Sequence, residues 1–354
     1  MTPPGLDPPP ELGASALPAG TFAGQVVVVT GGGTGLGKAI ATEFGRLGAS
    51  VAVVSRDADH RAAGVASVLA ARGSTGGTAG GTAGGTAGGT AGGTAGGTAG
   101  GTAGGTAGGT AGGTAGGGAL GVACDIRDAE SVAAAFSEVE DALGPIGVLV
   151  NNAAGNFPSP AEDLSPNAWR TVVDIVLNGT FLCSRELARR AMAAGRSAAI
   201  LNIGASYAWT GGPGFAHSAA AKAGVKNLTE TLAVEWAPAG IRVNGLVPGL
   251  FPHEDEVAAI AGVPGRDARV DDRVPALRVG APRELGWAAT FLCSPYASYV
   301  SGHTMVVDGA NWQRRNALQA PFVPIREQLE RGPFDPDAPG RSRPRPSNTP
   351  VEPG

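Results

Sequence analysis

Residues 26–37 read Val-Val-Val-Val-Thr-Gly-Gly-Gly-Thr-Gly-Leu-Gly. The five β-branched residues predict a short buried strand, and the amphipathic stretch Leu36–Leu47 predicts a helix directly after it. Glycines between a strand and a helix permit a tight turn. They also let a pyrophosphate approach the N–H groups at the positive end of the helix dipole. This stretch therefore predicts a dinucleotide-binding turn in an α/β fold.

The same strand-then-helix pattern recurs along the chain. The predicted strands are Val26–Thr30, Val51–Ser55, Ala119–Cys124, Val148–Asn151, Ala198–Ile203, Ile241–Val247 and Thr304–Val307. The predicted helices are Leu36–Leu47, Ala58–Arg72, Ser131–Leu143, Trp169 to about Met192, and Ser218–Trp236. Near-continuous apolar strands that alternate with helices are typical of a parallel sheet covered on both faces. We expect a doubly wound, seven-stranded parallel sheet of the Rossmann type in a single α/β domain.

Glycine and proline are unevenly distributed over the 354 residues. Of 59 glycines, 24 lie in residues 73–118, where ten copies of Thr-Ala-Gly-Gly occupy residues 78–117. Such a repeat has no large apolar side chain to bury, so it cannot offset its ordering entropy. Six of 27 prolines lie in residues 1–20 and nine in residues 321–354. We expect one domain over residues 21–312 with a low-complexity insertion at 73–118 in a helix-to-strand loop, and disordered proline-rich tails at 1–20 and 313–354.

Charge and hydropathy exclude several classes of protein. The net charge is −4, and no run of Lys or Arg predicts a nucleic-acid surface. Purely apolar stretches are about five residues long, against roughly 20 for a membrane span. The first residues lack the pattern of a signal peptide, and the last four match no retention or peroxisomal signal. Three isolated cysteines (Cys124, Cys183 and Cys293) indicate buried core residues rather than disulfides or metal ligands. We expect a cytoplasmic protein without a metal site.

The spacing T-G-x-x-x-G-x-G in residues 30–37 resembles that of the short-chain dehydrogenase/reductase family. Further motifs of that family follow in order: Asp125-Ile126 (adenine contact), Asn151-Asn152-Ala153-Ala154-Gly155 (sheet and cofactor turn), Asn178, Lys222 and Pro248-Gly249. The likeness spans Gln25 to about Trp312, interrupted by the repeat. The cofactor-binding residues that it implies are Thr30, Gly31, Gly33, Thr34, Gly35, Leu36, Gly37, Ser55, Arg56, Asp125, Ile126, Asn152, Ala153, Lys222, Pro248 and Gly249.

The end of the second predicted strand indicates which cofactor is used. An acidic residue there would accept the ribose 2′-OH of NADH and repel a 2′-phosphate, whereas an arginine pairs with that phosphate. Here the strand ends in Ser55-Arg56. The sequence therefore predicts NADPH, and a solvated arginine at the strand end is the alternative.

The proton-donating residues of ordinary carbonyl reductases of this family are missing. Those enzymes carry Tyr-x-x-x-Lys, with a serine about 13 residues before the tyrosine. Lys222 is present, but Ser218 stands four residues before it and Ala205 stands 13 residues before that serine. A serine hydroxyl is far too weak an acid to replace a phenol. Reduction of ordinary ketones is therefore disfavoured.

A displaced tyrosine indicates a subfamily. Residues 151–157 (Asn-Asn-Ala-Ala-Gly-Asn-Phe), 164–169 (Leu-Ser-Pro-Asn-Ala-Trp) and 174–180 (Asp-Ile-Val-Leu-Asn-Gly-Thr) resemble the 2,4-dienoyl-CoA reductases nearly residue for residue. In that subfamily a tyrosine 15 residues before the lysine acts with the asparagine of Gly-Asn-Phe. The catalytic residues that the resemblance implies are Tyr207, Lys222, Asn156, Asn178 and Ser218.

The implied substrate is an acyl-CoA thioester, and the implied assembly is a homotetramer. Residues 217–225 are also similar to 2-enoyl-CoA reductases, so a 2-enoyl-CoA reductase or another short-chain reductase is the first alternative. A catalytically inactive NADP-binding scaffold is the alternative from a different class. Residues 254–278 are expected to form a substrate loop whose arginines either meet CoA phosphates or are solvated.

Overall fold

The computed structural model describes residues 6–10, 15–73, 118–252, 274–313 and 326. Outside the described residues lie the ten repeats at 78–117, most of the predicted substrate loop, part of the amino-terminal tail and nearly all of the carboxyl-terminal tail. The predictions made for those segments therefore stay predictions. The described residues contain the sheet, its covering helices and the loops that follow the strands.

The described residues form one seven-stranded sheet. Its strands are β1 (Val26–Thr30), β2 (Ser50–Val54), β3 (Ala119–Val122), β4 (Ile146–Asn151), β5 (Ala198–Ile203), β6 (Ile241–Pro248) and β7 (Thr304–Val307). Their order is β3-β2-β1-β4-β5-β6-β7, and every neighbouring pair is parallel. The predicted doubly wound parallel sheet is confirmed. The strand order reverses between β1 and β4, where the carboxyl ends of the strands leave a crevice for ligands.

Helices cover both faces of this sheet. They are α1 (Gly35–Arg46), α2 (Ala58–Gly73), α3 (Ala129–Leu143), α4 (Pro166–Val173), α5 (Gly179–Ala193), α6 (Tyr207–Thr210), α7 (Ala216–Trp236) and α8 (Pro282–Cys293). Alternate side chains of a strand face opposite sides. Accordingly Val27 and Val29 pack in the core beneath α1 and α8, whereas Val26 and Val28 pack in the core beneath α3 and α5. The sequence analysis did not predict α6 or α8.

The long helix predicted from Trp169 to about Met192 is not continuous. A π-helical turn, Asp174–Asn178, separates α4 from α5. Directly after it, a Cβ on Gly179 would lie 2.7 Å from Ile126 Cδ1, so the glycine lets the helix approach the turn after β3. A π turn adds one residue to a helical turn, which an apolar pattern of period 3.6 cannot reveal.

The described part of residues 1–20 contacts the domain. Ser15 Oγ donates a hydrogen bond to Glu43 Oε1 over 2.5 Å, and Leu17 packs against the core. Further upstream, the Leu6 N–H donates to the Ala276 carbonyl over 3.0 Å. This part of the predicted disordered tail is therefore held on the domain by hydrogen bonds and apolar contact, which proline content does not indicate.

The flanks of the low-complexity insertion lie at the amino-terminal edge of the sheet. Helix α2 ends at Gly73, and β3 begins at Ala119. Gly118 donates its N–H to Ser50 Oγ over 3.2 Å, and its carbonyl accepts from the Val51 N–H over 2.9 Å. Because β3 runs away from this edge toward the ligand crevice, the insertion joins the fold on the opposite side.

The described residues also bear on the membrane and metal predictions. No helix among them has the length and hydropathy needed to cross a lipid bilayer. No group of three or more histidine, cysteine or acidic side chains in the same residues is arranged to hold a metal ion. The three cysteines are buried free thiols, as predicted.

Candidate active site

A cleft of about 940 Å³ opens at the carboxyl ends of β1, β2, β4 and β5. It is lined by many of the predicted site residues: Gly31, Thr34, Gly35, Leu36, Gly37, Ser55, Arg56, Asp125, Ile126, Asn152, Ala153, Tyr207, Lys222 and Pro248. Thr30, Gly33, Gly249, Asn156, Asn178 and Ser218 are not part of its lining. The cleft therefore contains most of the predicted cofactor residues, but of the predicted catalytic residues only Tyr207 and Lys222 line it.

Two turns at the crevice are tied together by hydrogen bonds. Thr30 Oγ1 accepts from the backbone N–H groups of Asn152 and Ala153 over 3.0 and 3.1 Å. In return, Asn152 Nδ2 donates to the carbonyls of Thr30 and Gly31, each over 3.1 Å. A Cβ on Gly37 would lie 2.3 Å from both the Gly31 carbonyl and Asn152 Nδ2. Thr30 and Gly37 therefore position the cofactor turn from behind it.

Two of the predicted cofactor glycines pack against protein instead of lining the cleft. A Cβ on Gly33 would lie 2.1 Å from the His60 carbonyl oxygen in α2. A Cβ on Gly249 would lie 2.4 Å from Asp308 Cβ, just after β7. Both glycines therefore allow close packing of neighbouring elements. A motif alone does not distinguish this role from contact with the cofactor.

A cluster of charged side chains stands at the outer end of the cleft. Arg56 follows β2 with its side chain 63% exposed, and its Nη1 lies 4.0 Å from Asp125 Oδ2. Arg127 holds the same carboxylate in a two-pronged contact, with Nε 2.9 Å from Oδ1 and Nη2 2.5 Å from Oδ2. The Arg127 hydrogen bonds lower the pKa of Asp125 to about 2, and the charge of Arg56 adds to the effect. Asp125 is therefore ionised at neutral pH.

Lys222 projects from α7 into the inner end of the cleft. It is buried, and its Nζ donates to the Ile203 carbonyl at the end of β5 over 2.5 Å. Burial lowers the pKa of Lys222 to about 8 because the ammonium loses its hydration. Asn178, one of the predicted catalytic residues, is exposed, and its Nδ2 donates to Asp174 Oδ1 over 2.7 Å. No direct hydrogen bond joins Asn178 to Lys222 among the described residues.

Tyr207 begins the short helix α6 beyond β5, with its side chain in the cleft. Its hydroxyl lies 3.0 Å from Ser218 Oγ, and its ring stacks on Phe215 with centroids 6.4 Å apart. Ser218 is buried in the first turn of α7. Ala205, at the usual position of the family serine, also lines the cleft. A phenol, a serine hydroxyl and the lysine thus converge at the inner end.

Asn156 and its neighbour occupy the loop after β4. Asn156 Oδ1 accepts from the Phe157 N–H over 3.0 Å, and the side chain is exposed outside the cleft lining. The Phe157 ring meets His217 edge-to-face with centroids 4.7 Å apart. His217 Nδ1 accepts from the Ser218 N–H over 2.8 Å, while its buried Nε2 has no partner among the described residues. The histidine does not line the cleft, which disfavours it as a catalytic acid.

Family models account for most of the domain. Residues 109–310 match the family described as enoyl-(acyl carrier protein) reductase, and residues 25–79 match the family described as short chain dehydrogenase. The chain belongs to the short-chain dehydrogenase/reductase family. It is therefore an oxidoreductase whose fold binds NAD or NADP.

Relatives of this short-chain dehydrogenase/reductase include proteins named for one activity. A probable 2,4-dienoyl-CoA reductase, (2E)-enoyl-CoA-producing, from Bacillus subtilis is 44% identical over 54% of this chain and 77% of its own length. The (3E)-enoyl-CoA-producing peroxisomal 2,4-dienoyl-CoA reductase of Rattus norvegicus is 33% identical over 81% of this chain and 84% of its own. A dehydrogenase structure from Agrobacterium tumefaciens with bound NADP superposes with a TM-score of 0.63. It is 28% identical over 83% of this chain and 99% of its own.

The cleft of this family member fits a dinucleotide. A Cβ on Gly37 would clash with the turn residue Gly31, whose φ of +64° favours glycine. Because Gly31 and Gly37 carry no side chain, the amino-terminal N–H groups of α1 are open to a pyrophosphate. Asp125 and Ile126 line the outer end of the cleft, and Lys222 lines its inner end.

A buried polar network behind the cleft was not predicted from the sequence. Asn151 Nδ2 donates to Ser184 Oγ and to Asn202 Oδ1, each over 2.9 Å. Asn202 Nδ2 donates to Thr229 Oγ1 over 2.9 Å. The network joins β4 and β5 to α5 and α7. An asparagine inside an apolar strand was the available signal, since a buried amide requires partners.

Several residues of the cleft lining were also missed: Val54, Asp57, His60, Cys124, Ala154, Ile175, Ile203 and Gly204. Four of them, Val54, Asp57, Cys124 and Ala154, directly precede or follow a predicted site residue, and Ile203 and Gly204 lie at the end of β5, so the ends of the strands already indicated these six. His60 and Ile175 come from α2 and the π turn, and only the packing of these elements onto the crevice identifies them.

Proposed function

We propose that this short-chain dehydrogenase/reductase reduces conjugated acyl-CoA thioesters with NADPH, converting a 2,4-dienoyl-CoA to a 3-enoyl-CoA. The observation that carries the proposal is Tyr207, which lines the same cleft as Lys222 and whose hydroxyl is paired with Ser218 Oγ behind the lining. In a conjugated thioester, the oxygen that gains negative charge lies several bonds from the carbon that receives the hydride. A phenol displaced from the usual family position is consistent with hydrogen bonding to such a remote oxygen. The names of the two relatives above support the same substrate class.

The chemistry requires stabilisation of charge on the thioester oxygen. NADPH, when bound, supplies a hydride to the far end of the conjugated system. The two electrons displaced from the diene then move onto the thioester oxygen as a dienolate. Tyr207 O–H donates to this oxygen, and the Asn156 amide is the second donor of the oxyanion hole. Asn156 Oδ1 already accepts from the Phe157 N–H, so its Nδ2 is the atom left to donate to the substrate oxygen. The dienolate takes a proton at the carbon next to the thioester, from water, to give the 3-enoyl product.

Lys222 and Asn178 complete the proposed catalytic group. Lys222 holds the nicotinamide ribose and adds positive potential near the developing negative charge. Among the described residues its ammonium donates to one acceptor, the Ile203 carbonyl, which leaves two further ammonium protons for the cofactor. We propose that Asn178 acts on the lysine through water, since its amide is bonded to Asp174.

The choice of NADPH rests on Arg56. Its guanidinium is exposed at the end of β2 and lines the outer end of the cleft, where a ribose 2′-phosphate would approach. A guanidinium pairs with phosphate through two parallel hydrogen bonds. The solved relative with bound NADP supports the same cofactor.

We further propose that the protein works as a homotetramer in the cytoplasm. Large apolar side chains stand exposed along α4 and α5: Trp169, Phe181 and Met192, each 40–42% accessible. Exposed apolar side chains along neighbouring helices are typical of a surface that a partner covers. Light scattering of the purified protein measures the assembly, and a monomeric mass would contradict the proposal. The cytoplasmic location stays a prediction from the sequence.

The second candidate is a 2-enoyl-CoA reductase. The family description that matches residues 109–310 names an enoyl reductase, which favours this alternative. Both reactions add a hydride to a carbon conjugated with a thioester, so the same donors serve both. The third candidate, an inactive scaffold, binds NADPH without turning over any substrate.

One assay separates these candidates. Purified protein with NADPH is offered 2,4-dienoyl-, 2-enoyl- and 3-ketoacyl-CoA of equal chain length. NADPH oxidation is followed by the absorbance of the reduced nicotinamide. We expect the dienoyl thioester to give the highest kcat/KM, and NMR to place the product double bond at carbon 3. A higher kcat/KM for the 2-enoyl substrate favours the second candidate, and cofactor binding without turnover favours the third. A double bond at carbon 2 would contradict the proposed protonation site.

A further inference from the structure

We propose that Arg127 is a specificity-determining residue for NADPH, acting by neutralising Asp125 so that Arg56 is left to bind the 2′-phosphate. This inference rests on the proposed use of NADPH. Arg127 lies behind Asp125 and does not line the cleft, so its role is positioning rather than contact with the cofactor.

Two arginines approach one carboxylate from different elements. Arg56 comes from the end of β2, and its Nη1 is 4.0 Å from Asp125 Oδ2, beyond hydrogen-bond distance. Arg127 comes from the turn before α3 and holds both carboxylate oxygens at 2.5–3.1 Å. The Asp125 carboxylate is thus already paired with the Arg127 guanidinium, and it attracts Arg56 by charge without a hydrogen bond. The Arg127 guanidinium therefore keeps the Arg56 guanidinium available to bind a phosphate.

The backbone would hold Asp125 in place even without the Arg127 guanidinium. Asp125 Oδ1 accepts from the Arg127 N–H over 3.1 Å, and the Asp125 N–H donates to Ser131 Oγ over 3.0 Å. The turn is closed by a hydrogen bond from the Asp128 N–H to the Asp125 carbonyl. A substitution at Arg127 therefore removes a charge and leaves the local structure, which separates an electrostatic role from a structural one.

The other charges around Arg56 do not substitute for Arg127. Asp57 Oδ1 accepts from the His60 N–H over 2.9 Å at the start of α2, so its charge is directed at the helix terminus. Arg61 Nη1 donates to the backbone carbonyls of Ser55 and Arg56, over 2.8 and 2.7 Å, and thus shapes the turn. Among the described residues, only Arg127 contacts the Asp125 carboxylate through two guanidinium nitrogens. Its loss would leave an unpaired negative charge 4.0 Å from the Arg56 guanidinium.

The consequence is specific for the 2′-phosphate. An unneutralised Asp125 carboxylate competes with the phosphate for Arg56 and repels the phosphate itself, whereas a ribose 2′-OH carries no charge to repel. A unit charge at about 4 Å in a high-dielectric setting changes an equilibrium roughly fivefold. We therefore expect an Arg127→Gln substitution to weaken ligands with a 2′-phosphate about fivefold and to leave ligands without it nearly unchanged.

Binding of adenosine fragments by calorimetry tests this without any turnover. The ligands are 2′,5′-ADP, which carries the 2′-phosphate, and 5′-AMP, which lacks it. Because adenine is common to both, the ratio of their Kd values cancels changes in the adenine contact. The proteins are wild type, Arg127→Gln, Asp125→Asn with Arg127→Gln, and the remote control Arg189→Gln, whose partner is Glu186 on α5. Thermal midpoints verify that each variant is folded.

We expect wild type to prefer 2′,5′-ADP, Arg127→Gln to lose about fivefold of that preference, and the double variant to regain it. An unchanged ratio in Arg127→Gln would overturn the inference. A ratio that falls but is not restored by Asp125→Asn would also overturn it, because the effect would then not come from the carboxylate charge. A wild-type protein without preference for 2′,5′-ADP would instead refute the proposed use of NADPH, so the two failures are distinguishable.

Discussion

The Tyr207 hydroxyl lies 3.0 Å from Ser218 Oγ, across the gap between α6 and α7. Ser218 occupies the position from which a tyrosine serves ordinary carbonyl reductases of the family, and here it is buried beneath the phenol. The serine therefore supports a phenol supplied by another element. A tyrosine hydroxyl is thus kept in the cleft that Lys222 lines, but it comes from α6 instead of α7.

Replacing Tyr207 by Phe tests its role as a hydrogen-bond donor. Loss of one oxyanion-hole donor lowers kcat by about 10²–10³-fold. We expect that loss with dienoyl-CoA, while the Kd for NADPH changes little because the phenol is not needed for the dinucleotide. Stopped-flow turnover and fluorescence titration measure the two quantities. The control is Tyr299→Phe, since Tyr299 is fully exposed; near-normal turnover of Tyr207→Phe would contradict the assignment.

Replacing Ser218 by Ala tests the support given to that phenol. The variant removes the only hydroxyl that bonds the Tyr207 O–H among the described residues. We expect kcat to fall by about tenfold, less than in Tyr207→Phe, because the phenol remains but its orientation is no longer held. Steady-state kinetics on both variants and on the double variant give the coupling. Additive losses would mean that the two hydroxyl groups act independently.

The pH dependence should show the buried ammonium of Lys222. Its pKa of about 8 lies below the ordinary lysine value of 10.5 because burial removes hydration. Rising pH therefore deprotonates Lys222 early, and we expect kcat/KM to fall above about pH 8 as its positive potential is lost. A profile that stays flat to pH 10 would contradict this.

The same pKa has a consequence for stability. Between about pH 8 and 10.5 the unfolded chain binds a proton that folded Lys222 has released, so the free energy of unfolding rises with pH over that window. Between about pH 8 and 10.5, the thermal midpoint of the cofactor-free protein should increase relative to that of a Lys222→Met variant, which has no titratable group at position 222. Equal slopes in the two proteins would argue that Lys222 is not buried as described.

Excision of the repeat should leave the enzyme active. The insertion joins α2 to β3 at the edge opposite the cleft, where Gly118 bonds Ser50. Closing a loop of 46 residues instead of about four costs on the order of 2 kcal/mol. We therefore expect a chain with a short turn in place of residues 74–117 to keep kcat within about twofold and to unfold at a higher temperature. A large fall in turnover would show that the repeat contributes to the site.

The buried amide network should be costly to break. An Asn202→Ala substitution leaves one Asn151 amide proton without its acceptor and removes a donor from Thr229 Oγ1, which still donates to the Val225 carbonyl. An unsatisfied buried group costs about 1–3 kcal/mol, so we expect the free energy of unfolding to fall by about that amount. Urea denaturation measures it. Asn167→Ala on the exposed start of α4 is the matched control, and an equally small change in both variants would contradict the network's role.

The strands, most of the helices and the nucleotide turn were predictable because their signals are local. A run such as Val26–Thr30 is β-branched on both faces, which is typical of a strand in a covered parallel sheet. Glycines placed between a strand and a helix indicate a tight turn. The family resemblance then implied Tyr207, Lys222 and Asn156 by their distance along the chain, and the first two line the cleft. The π turn at Asp174–Asn178 was missed because one extra residue in a helix leaves the apolar pattern nearly unchanged.

The amino-acid sequence by itself determined the parallel sheet, the crevice at its switch point and the absence of a tyrosine four residues before Lys222. Tertiary structure decided that Gly33 packs on His60, that Ser218 supports Tyr207 and that Arg127 holds Asp125 near Arg56. The physical reason is range. Periodicity and turn chemistry act between neighbours in the chain, whereas hydrogen bonds and close approaches between elements exist only once the sheet has brought distant residues together.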